Sequence, residues 1–196
     1  MKLTLVRHPQ TFDNVKHIMA GHETNSRVTK VGKRQIELVA KRLAEEKFDI
    51  MYSSDLTRCK QLALAIKKLN PNLKLVFAKE LRERHFGIFE GKTQKAFSKF
   101  ESKAEHIDSL QPPQGESREQ AAARMLRFIE KIEKQHEHAL IITHGGIKRI
   151  FLNKTFKLKL TYQTNYNTGV SLVDFTTKEV MYLFDNSHLP PELHTK

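Results

Sequence analysis

The chain has 196 residues, with 34 Lys and Arg against 22 Asp and Glu, so its formal net charge is +12. A chain of this length buries about 70% of its unfolded surface, and it needs neither disulfides nor a structural metal to fold. Its single cysteine, Cys59, excludes an internal disulfide framework and a multi-cysteine metal site. One domain over residues 1–196 is expected. The basic excess leaves three partner classes open: nucleic acid, an acidic membrane surface and a small anionic substrate.

The beginning of the chain does not have the pattern of a targeting segment. Its apolar stretch, residues 3–6, is too short for a signal peptide core and is followed by Arg7 and His8. No apolar run approaches the roughly 20 residues that span a bilayer. We therefore expect a soluble, cytoplasmic protein that binds no membrane.

Hydrophobic periodicity predicts strands that alternate with helices. The predicted strands are residues 2–6, 48–52, 73–77 and 138–143, with a hairpin at 169–175 and 180–184. Helices are predicted after Gly32, after the cap residues 53–55, after Ser117 with its capping-box partner Gln120, and after Gly146. The alternation predicts an α/β protein, a three-layer α/β/α sandwich with a mostly parallel central sheet.

Two segments and one residue are interpreted from local features. Residues from about 84 to 114 are irregular and cap-like, and the segment from Pro190 onward is expected to be loose. Cys59 shares a helical face with apolar residues at the i+3, i+4 and i+7 positions, so we interpret it as a core residue and not as a nucleophile.

Two histidines directly follow predicted strands. Arg7 and His8 end the first strand, and His144 ends the strand at 138–143. Ligands of open α/β sheets bind at the carboxyl ends of the strands. If these two strands are parallel neighbours, both imidazoles face the same crevice.

Cations beside these histidines predict an anion site. Arg58 lies in the first turn of a predicted helix, where a cation opposes the helix dipole unless an anion binds there. Arg7 supplies a second fork-shaped donor set suited to a phosphoryl group, and Asn14 adds a neutral donor. A neutral imidazole in such a site can attack phosphorus while the cations stabilise the transferring oxygens. A carboxylic acid is then needed to protonate the leaving oxygen.

Segments along most of the chain resemble the histidine phosphatase superfamily, also called phosphoglycerate mutase-like. Segment 5–11 with Asn14 resembles its Arg-His-Gly signature, and segment 52–59 resembles the region of its second phosphate-binding arginine. Segment 81–91 resembles the proton-donor region, and segment 143–146 the second histidine motif. Residues 186–189 resemble a common ending of the phosphatase branch. The resemblance implies the phosphoglycerate mutase-like fold.

The resemblance also implies residue roles. His8 would be the nucleophile that becomes phosphorylated, and Glu83 would protonate the leaving group and then activate water. The phosphoryl oxygens would be held by Arg7, Asn14, Arg58 and His144. The implied catalytic set is His8, Glu83, His144, Arg7 and Arg58, and its cycle uses no metal and no organic cofactor.

Two residues beside the nucleophile depart from the family pattern. Pro9 stands where the family usually has Gly, and it removes an N–H and fixes φ. Gln10 stands where Glu is common, which removes a charge beside the site. Neither change touches an implied catalytic group, so activity is expected. His22 and His85 are candidate substrate-binding residues at the rim.

The favoured function is a phosphatase that hydrolyses small phosphomonoesters through a phosphohistidine on His8, as a monomer or homodimer. Its substrate would be a small phosphorylated metabolite. The first alternative is a phosphoglycerate mutase, because the string at 83–87 looks mutase-like, although the Arg-rich insertion of metabolic mutases is missing. The second is a non-catalytic basic domain that binds anions or nucleic acid. The basic residues lack interleaved aromatics, so no nucleic-acid partner is expected.

Overall fold

The computed structural model describes residues 1–161 and 165–196. Within them, one sheet contains six strands: β1 (Lys2–Arg7), β2 (Ile50–Ser53), β3 (Leu75–Phe77), β4 (His138–Thr143), β5 (Val170–Asp174) and β6 (Val180–Asp185). The order across the sheet is β3-β2-β4-β1-β5-β6. The first four of these run parallel, β5 pairs antiparallel with β1, and β6 pairs antiparallel with β5. The predicted mostly parallel sheet is confirmed.

The described residues contain six α-helices, four of which cover the two faces of the sheet. The six are α1 (Phe12–Val15), α2 (Lys30–Ala44), α3 (Thr57–Leu69), α4 (Gln94–Glu101), α5 (Arg118–Glu133) and α6 (Gly145–Phe156). Apolar residues of α2 and α3 pack with Val6 on one face, and those of α5 and α6 pack with Leu3 and Leu5 on the other. Alternate residues of β1 thus enter different cores, as the strand pleat requires. The predicted α/β/α layering is confirmed.

The register of β1 and β4 places the two strand-end histidines side by side. Arg7 pairs with Thr143 at the end of the parallel ladder, and His8 and His144 follow directly. The His8 N–H donates to the Thr143 carbonyl at 2.9 Å, which extends the ladder by one residue. The predicted shared crevice therefore follows from strand pairing alone.

The predicted side-chain cap of α3 is wrong. The N-cap residue is Leu56, which has no capping side chain. The hydroxyl of Ser54 bonds to the His144 ring, and the carboxylate of Asp55 bonds to Arg82 at 2.6 Å through each of its oxygens. Ser54 and Asp55 thus make tertiary contacts, although the Ser54 hydroxyl also accepts the Leu56 N–H at 3.3 Å. The predicted capping box at the start of α5 is present.

The segment predicted to be irregular contains a helix, α4. The Thr93 hydroxyl caps it by accepting from the Ala96 N–H at 3.2 Å. Phe97 of α4 packs with Met19 and Phe86, and so attaches the segment to the loop that follows α1. An eight-residue helix offers only two turns of periodicity, which the sequence pattern does not separate from a loop.

The expectation of a loose segment after Pro190 is wrong. Pro191–Leu193 forms a turn of 3-10 helix, and the Asn167 N–H donates to the Thr195 carbonyl at 2.8 Å. Buried polar partners hold this segment in place of apolar burial, and hydropathy does not reveal such partners. Among the described residues, no helix has both the length and the apolar content that a bilayer crossing requires.

Candidate active site

His8 is buried at the carboxyl end of β1 with only 5% of its surface exposed. Its Nδ1 lies 2.8 Å from the carbonyl oxygen of Pro9. A carbonyl only accepts hydrogen bonds, so Nδ1 carries the proton and Nε2 keeps its lone pair. The residue that departs from the family pattern therefore supplies, through its carbonyl, the contact that sets the tautomer of His8.

The His8 ring is held neutral by its surroundings. Burial lowers its pKa well below the usual value, and the nearby cations Arg58 and Arg7 lower it further. A neutral imidazole is the form that can act as a nucleophile.

Arg7 lies between the loop that precedes β5 and the start of α6. Its Nη1 donates to the carbonyl of Asn165. Burial, together with Arg58, lowers its pKa to about 10, so it remains a cation at neutral pH. A methyl group at Gly145 would lie 2.8 Å from Arg7 Nε and 2.7 Å from Asn165 Nδ2. The first residue of α6 is thus a glycine because Arg7 and Asn165 occupy the space beside it.

Arg58 fixes the second histidine. Its Nε donates to His144 Nδ1 at 3.0 Å, so the proton of the neutral His144 ring lies on Nε2, 2.8 Å from the Ser54 hydroxyl. Burial, Arg58 and His8 all lower the pKa of His144 well below its usual value. The ring centroids of His8 and His144 are 5.2 Å apart. The two imidazoles are therefore neighbours with defined tautomers.

The rest of the Arg58 guanidinium is wrapped by backbone carbonyls. Nη2 donates to Ala20 at 3.2 Å and to Gly21 at 2.9 Å, and Nη1 donates to Thr24 at 3.2 Å. The loop at 20–24 is thereby fixed beside the two histidines.

Cys59 is fully buried beside this pair. Its Sγ lies 3.4 Å from His144 Nε2, and burial raises the thiol pKa to about 12. The interpretation of Cys59 as a core residue agrees with this burial, because it packs with apolar residues of α2 and α3.

Glu83 reaches the site from the segment after β3. Its carboxylate accepts the backbone N–H groups of Arg84, Gly146 and Ile147 at 2.8, 2.8 and 2.7 Å. Two of these donors belong to the first turn of α6, where the helix dipole also favours a negative charge. A methyl group at Gly146 would lie 2.7 Å from Glu83 Oε1. The two glycines after His144 thus make room for Arg7 and Glu83 respectively.

The backbone of Glu83 is held as firmly as its side chain. Its carbonyl accepts from His22 Nε2 at 2.6 Å and from Arg124 Nη2 at 3.1 Å. Arg124 is anchored in turn by Glu116, with two contacts of 2.8 Å. Sequence reasoning missed Arg124, since a lone cation on α5 belongs to no motif.

The two candidate substrate-binding histidines lie together at the rim. Their rings meet edge to face with centroids 4.8 Å apart. Burial lowers the pKa of His22, whose ring is bound to Glu83. The His85 ring lies 3.7 Å from a Glu90 oxygen. Their substrate contacts stay a prediction.

Asn14 reaches the nucleophile loop from α1. Its Oδ1 accepts from the N–H and the hydroxyl of Thr11, both at 3.0 Å, and from Asn167 Nδ2 at 3.4 Å. Because the oxygen is committed to these bonds, the amide NH₂ group is the end that can bind an anion. The structure thus brings together His8, Arg7, Arg58, His144, Glu83 and Asn14.

A comparison with family models matches residues 3–186 to the histidine phosphatase superfamily, branch 1. A metal-independent phosphoserine phosphatase of Arabidopsis thaliana is 34% identical over 79% of this chain and 68% of that protein. A broad-specificity phosphatase of Saccharomyces cerevisiae is 28% identical over 93% of this chain and 83% of that protein. Among solved structures, YhfR of Bacillus stearothermophilus superimposes with a TM-score of 0.82 at 25% identity, covering 95% of this chain and 98% of that one.

Proposed function

The chain belongs to the histidine phosphatase superfamily, and on this premise we propose that it hydrolyses small phosphomonoesters through a phosphohistidine formed on His8. The family and the phosphatase class predicted from the motifs are confirmed by the match over 3–186 and by relatives named as phosphatases. The observation that supports the role of His8 most directly is its tautomer. The bond from Nδ1 to the Pro9 carbonyl leaves the Nε2 lone pair to attack phosphorus, in a pocket that contains two arginines.

In the first step Nε2 of His8 forms a bond to phosphorus, and the ester P–O bond breaks. The electron pair of that bond goes to the leaving oxygen, which takes a proton from Glu83. A phosphate monoester carries one dissociable proton with a pKa near 6. The incoming monoanion supplies this proton to the Glu83 carboxylate, which then passes it to the alcohol.

In the second step water attacks the phosphohistidine while Glu83 takes its proton. The P–N bond breaks, its electron pair returns to Nε2, and inorganic phosphate leaves. Throughout both steps Arg7, Arg58 and Asn14 hold the phosphoryl oxygens, with His144 positioned by Arg58 beside them.

Hydrolysis is favoured over mutase chemistry by the placement of Arg84. This residue belongs to the string that suggested a mutase, but its side chain is buried against Glu101 at 3.1 Å and lies over the Phe97 ring. It therefore serves the packing of the cap segment. The relatives named as phosphatases agree with this choice.

The decisive experiment is to trap the phosphoenzyme. Wild-type protein mixed with a radiolabelled phosphomonoester and quenched within milliseconds should carry acid-labile, base-stable phosphate. His8→Ala should abolish both the label and turnover of p-nitrophenyl phosphate, by more than about 1,000-fold. His106→Ala changes an exposed histidine of the cap segment and is the matched control. Labelled phosphohistidine in His8→Ala would refute the assignment. Interconversion of 2- and 3-phosphoglycerate without phosphate release would establish the mutase instead.

A further inference from the structure

A ring of hydrogen bonds joins residues 193–195 to the loop that carries His8. Two amide side chains, Gln35 of α2 and Asn167 of the loop before β5, form its arms, and both are fully buried. Neither takes part in the chemical steps proposed above. Buried amides cost free energy unless their donors and acceptors are all bonded, so their partners define what they do.

The first arm runs through Asn167. Its Nδ2 donates to the His8 carbonyl at 3.1 Å and to Asn14 Oδ1 at 3.4 Å. Its Oδ1 accepts from the Thr195 hydroxyl at 3.1 Å, and its N–H donates to the Thr195 carbonyl at 2.8 Å. Asn167 therefore touches the nucleophile and a phosphate-binding candidate on one side and Thr195 on the other.

The second arm runs through Gln35. Its Oε1 accepts from the Gln10 N–H at 2.8 Å. Its Nε2 donates to the Leu193 carbonyl and to the Thr195 hydroxyl, both at 2.8 Å. The backbone is thus held at His8 by one amide and at Gln10 by the other, with Pro9 between them.

The Thr195 hydroxyl closes the ring and sets its direction. The oxygen accepts from Gln35 and its proton goes to Asn167, so each amide has only one orientation that satisfies every bond. Without the hydroxyl, Gln35 would lose an acceptor and Asn167 would lose a donor. Hydrogen bonds linked in such a network strengthen one another, so the loss of one group weakens more than the bonds that it makes itself.

We propose that Thr195 is a positioning residue for His8. By fixing Asn167 and Gln35 it holds the backbone on both sides of Pro9, and so it places the Pro9 carbonyl that orients the His8 ring. The inference rests on the proposed role of His8. Nucleophilic attack depends steeply on placement, and a shift of about 1 Å costs on the order of 100-fold in rate.

The test compares three variants at threonine positions, each assayed at least 20 °C below its own Tm. Thr195→Val keeps the shape and removes the hydroxyl, and we expect it to lower kcat on p-nitrophenyl phosphate about 10-fold. KM should change less than two-fold, since Arg7 and Arg58 are untouched. Thr195→Ser keeps the hydroxyl and should restore kcat to within two-fold. Thr177→Val, in the exposed β5–β6 turn, is the control and should match the wild type.

The outcomes separate this inference from the proposed function. If Thr195→Val keeps kcat within two-fold, or Thr195→Ser is as impaired as Thr195→Val, the positioning role is refuted. Thr195→Ala repeats the test if the valine variant does not fold. Quenched-flow labelling decides the other question. A wild type that forms no phosphohistidine refutes the proposed function, whereas slower labelling in Thr195→Val alone supports the positioning role.

Discussion

The phosphoryl pocket encloses one buried and one partly buried arginine and the cap segment buries another, but only the arginine of the cap segment is paired with a carboxylate. Arg84 of the cap segment pairs with Glu101 at 3.1 Å. In the pocket, Arg7 and Arg58 donate to backbone carbonyls and to a neutral histidine, and no carboxylate of the described residues forms an ion pair with either. Buried charge is costly unless it is paired. The difference shows which arginines serve packing and which still need an anion.

The largest expected effect comes from alanine substitutions at two neighbouring glycines of the pocket, which should differ in their dependence on the leaving group. Gly145→Ala would push a methyl group against Arg7, and Gly146→Ala would push one against Glu83. Gly145→Ala should lower kcat/KM about 100-fold for every phosphate ester, because in the proposed mechanism Arg7 binds the phosphoryl group of all of them. Gly146→Ala should harm esters of poor leaving groups most, because those depend on the proton of Glu83.

Steady-state kinetics on p-nitrophenyl phosphate and an alkyl phosphate measure this contrast. Equal losses on both esters are expected for Gly145→Ala and unequal losses for Gly146→Ala. The same leaving-group dependence in both variants would remove the division of roles between Arg7 and Glu83.

The next effect concerns the cap segment. Arg84→Met leaves a buried carboxylate, Glu101, with one partner fewer, so the free energy of unfolding should fall by about 3–5 kcal/mol. Activity well below the Tm should stay within a few-fold of the wild type, because this side chain touches no reacting group.

Urea unfolding measures this loss, and Arg118→Met is the matched control. Arg118 contacts the same Glu101 oxygen at 3.1 Å, but its side chain is 13% exposed against 1% for Arg84. It should therefore cost about 1 kcal/mol. Equal losses of unfolding free energy in the two variants would contradict the idea that burial of the arginine sets the cost of removing it.

The smallest effect is a pH dependence of stability to which the two pocket histidines contribute. The folded-state pKa values of His8 and His144 lie well below 6.5, so the unfolded chain takes up their protons first as the pH falls. The stabilisation contributed by the two neutral rings is thus fully present above about pH 6.5. Below that pH the free energy of unfolding decreases, by up to about 1.4 kcal/mol per pH unit for each histidine.

Urea unfolding at pH 7.5, 6.5 and 5.5 measures this slope. A variant with His144→Gln should lose one histidine's share of the slope, because the pKa values of His22, His138 and His188 are lowered as well. The cap variant Arg84→Met should keep all of it. A slope that His144→Gln leaves unchanged would mean that the His144 ring takes up its proton as readily in the folded state as in the unfolded chain.

The local sequence pattern predicted the pocket but not the structure of the cap segment, and the reason is physical. His8 and His144 each follow a run of apolar residues, and parallel pairing of those runs brings them together without further instruction. The cap segment is held by contacts between residues far apart in the chain, such as Phe97 with Met19. No short motif encodes those contacts.

The same distinction applies within the site. Arg124, Asn167 and Thr195 act on backbone carbonyls or on other polar groups, and a backbone acceptor is present at every residue. Sequence patterns therefore do not single them out. The segment after Pro190 was expected to be loose as a chain terminus, yet the Leu193 carbonyl and the Thr195 hydroxyl bind it to Gln35.

The burial of Cys59 makes the only thiol of the chain a reporter of opening. With its pKa at about 12 and its side chain inaccessible, it should react with disulfide reagents only when α3 separates from the sheet. The rate of labelling in native buffer then measures the free energy of that local opening. If phosphate binds to Arg58, one residue away, as proposed, it should slow the labelling in proportion to its occupancy.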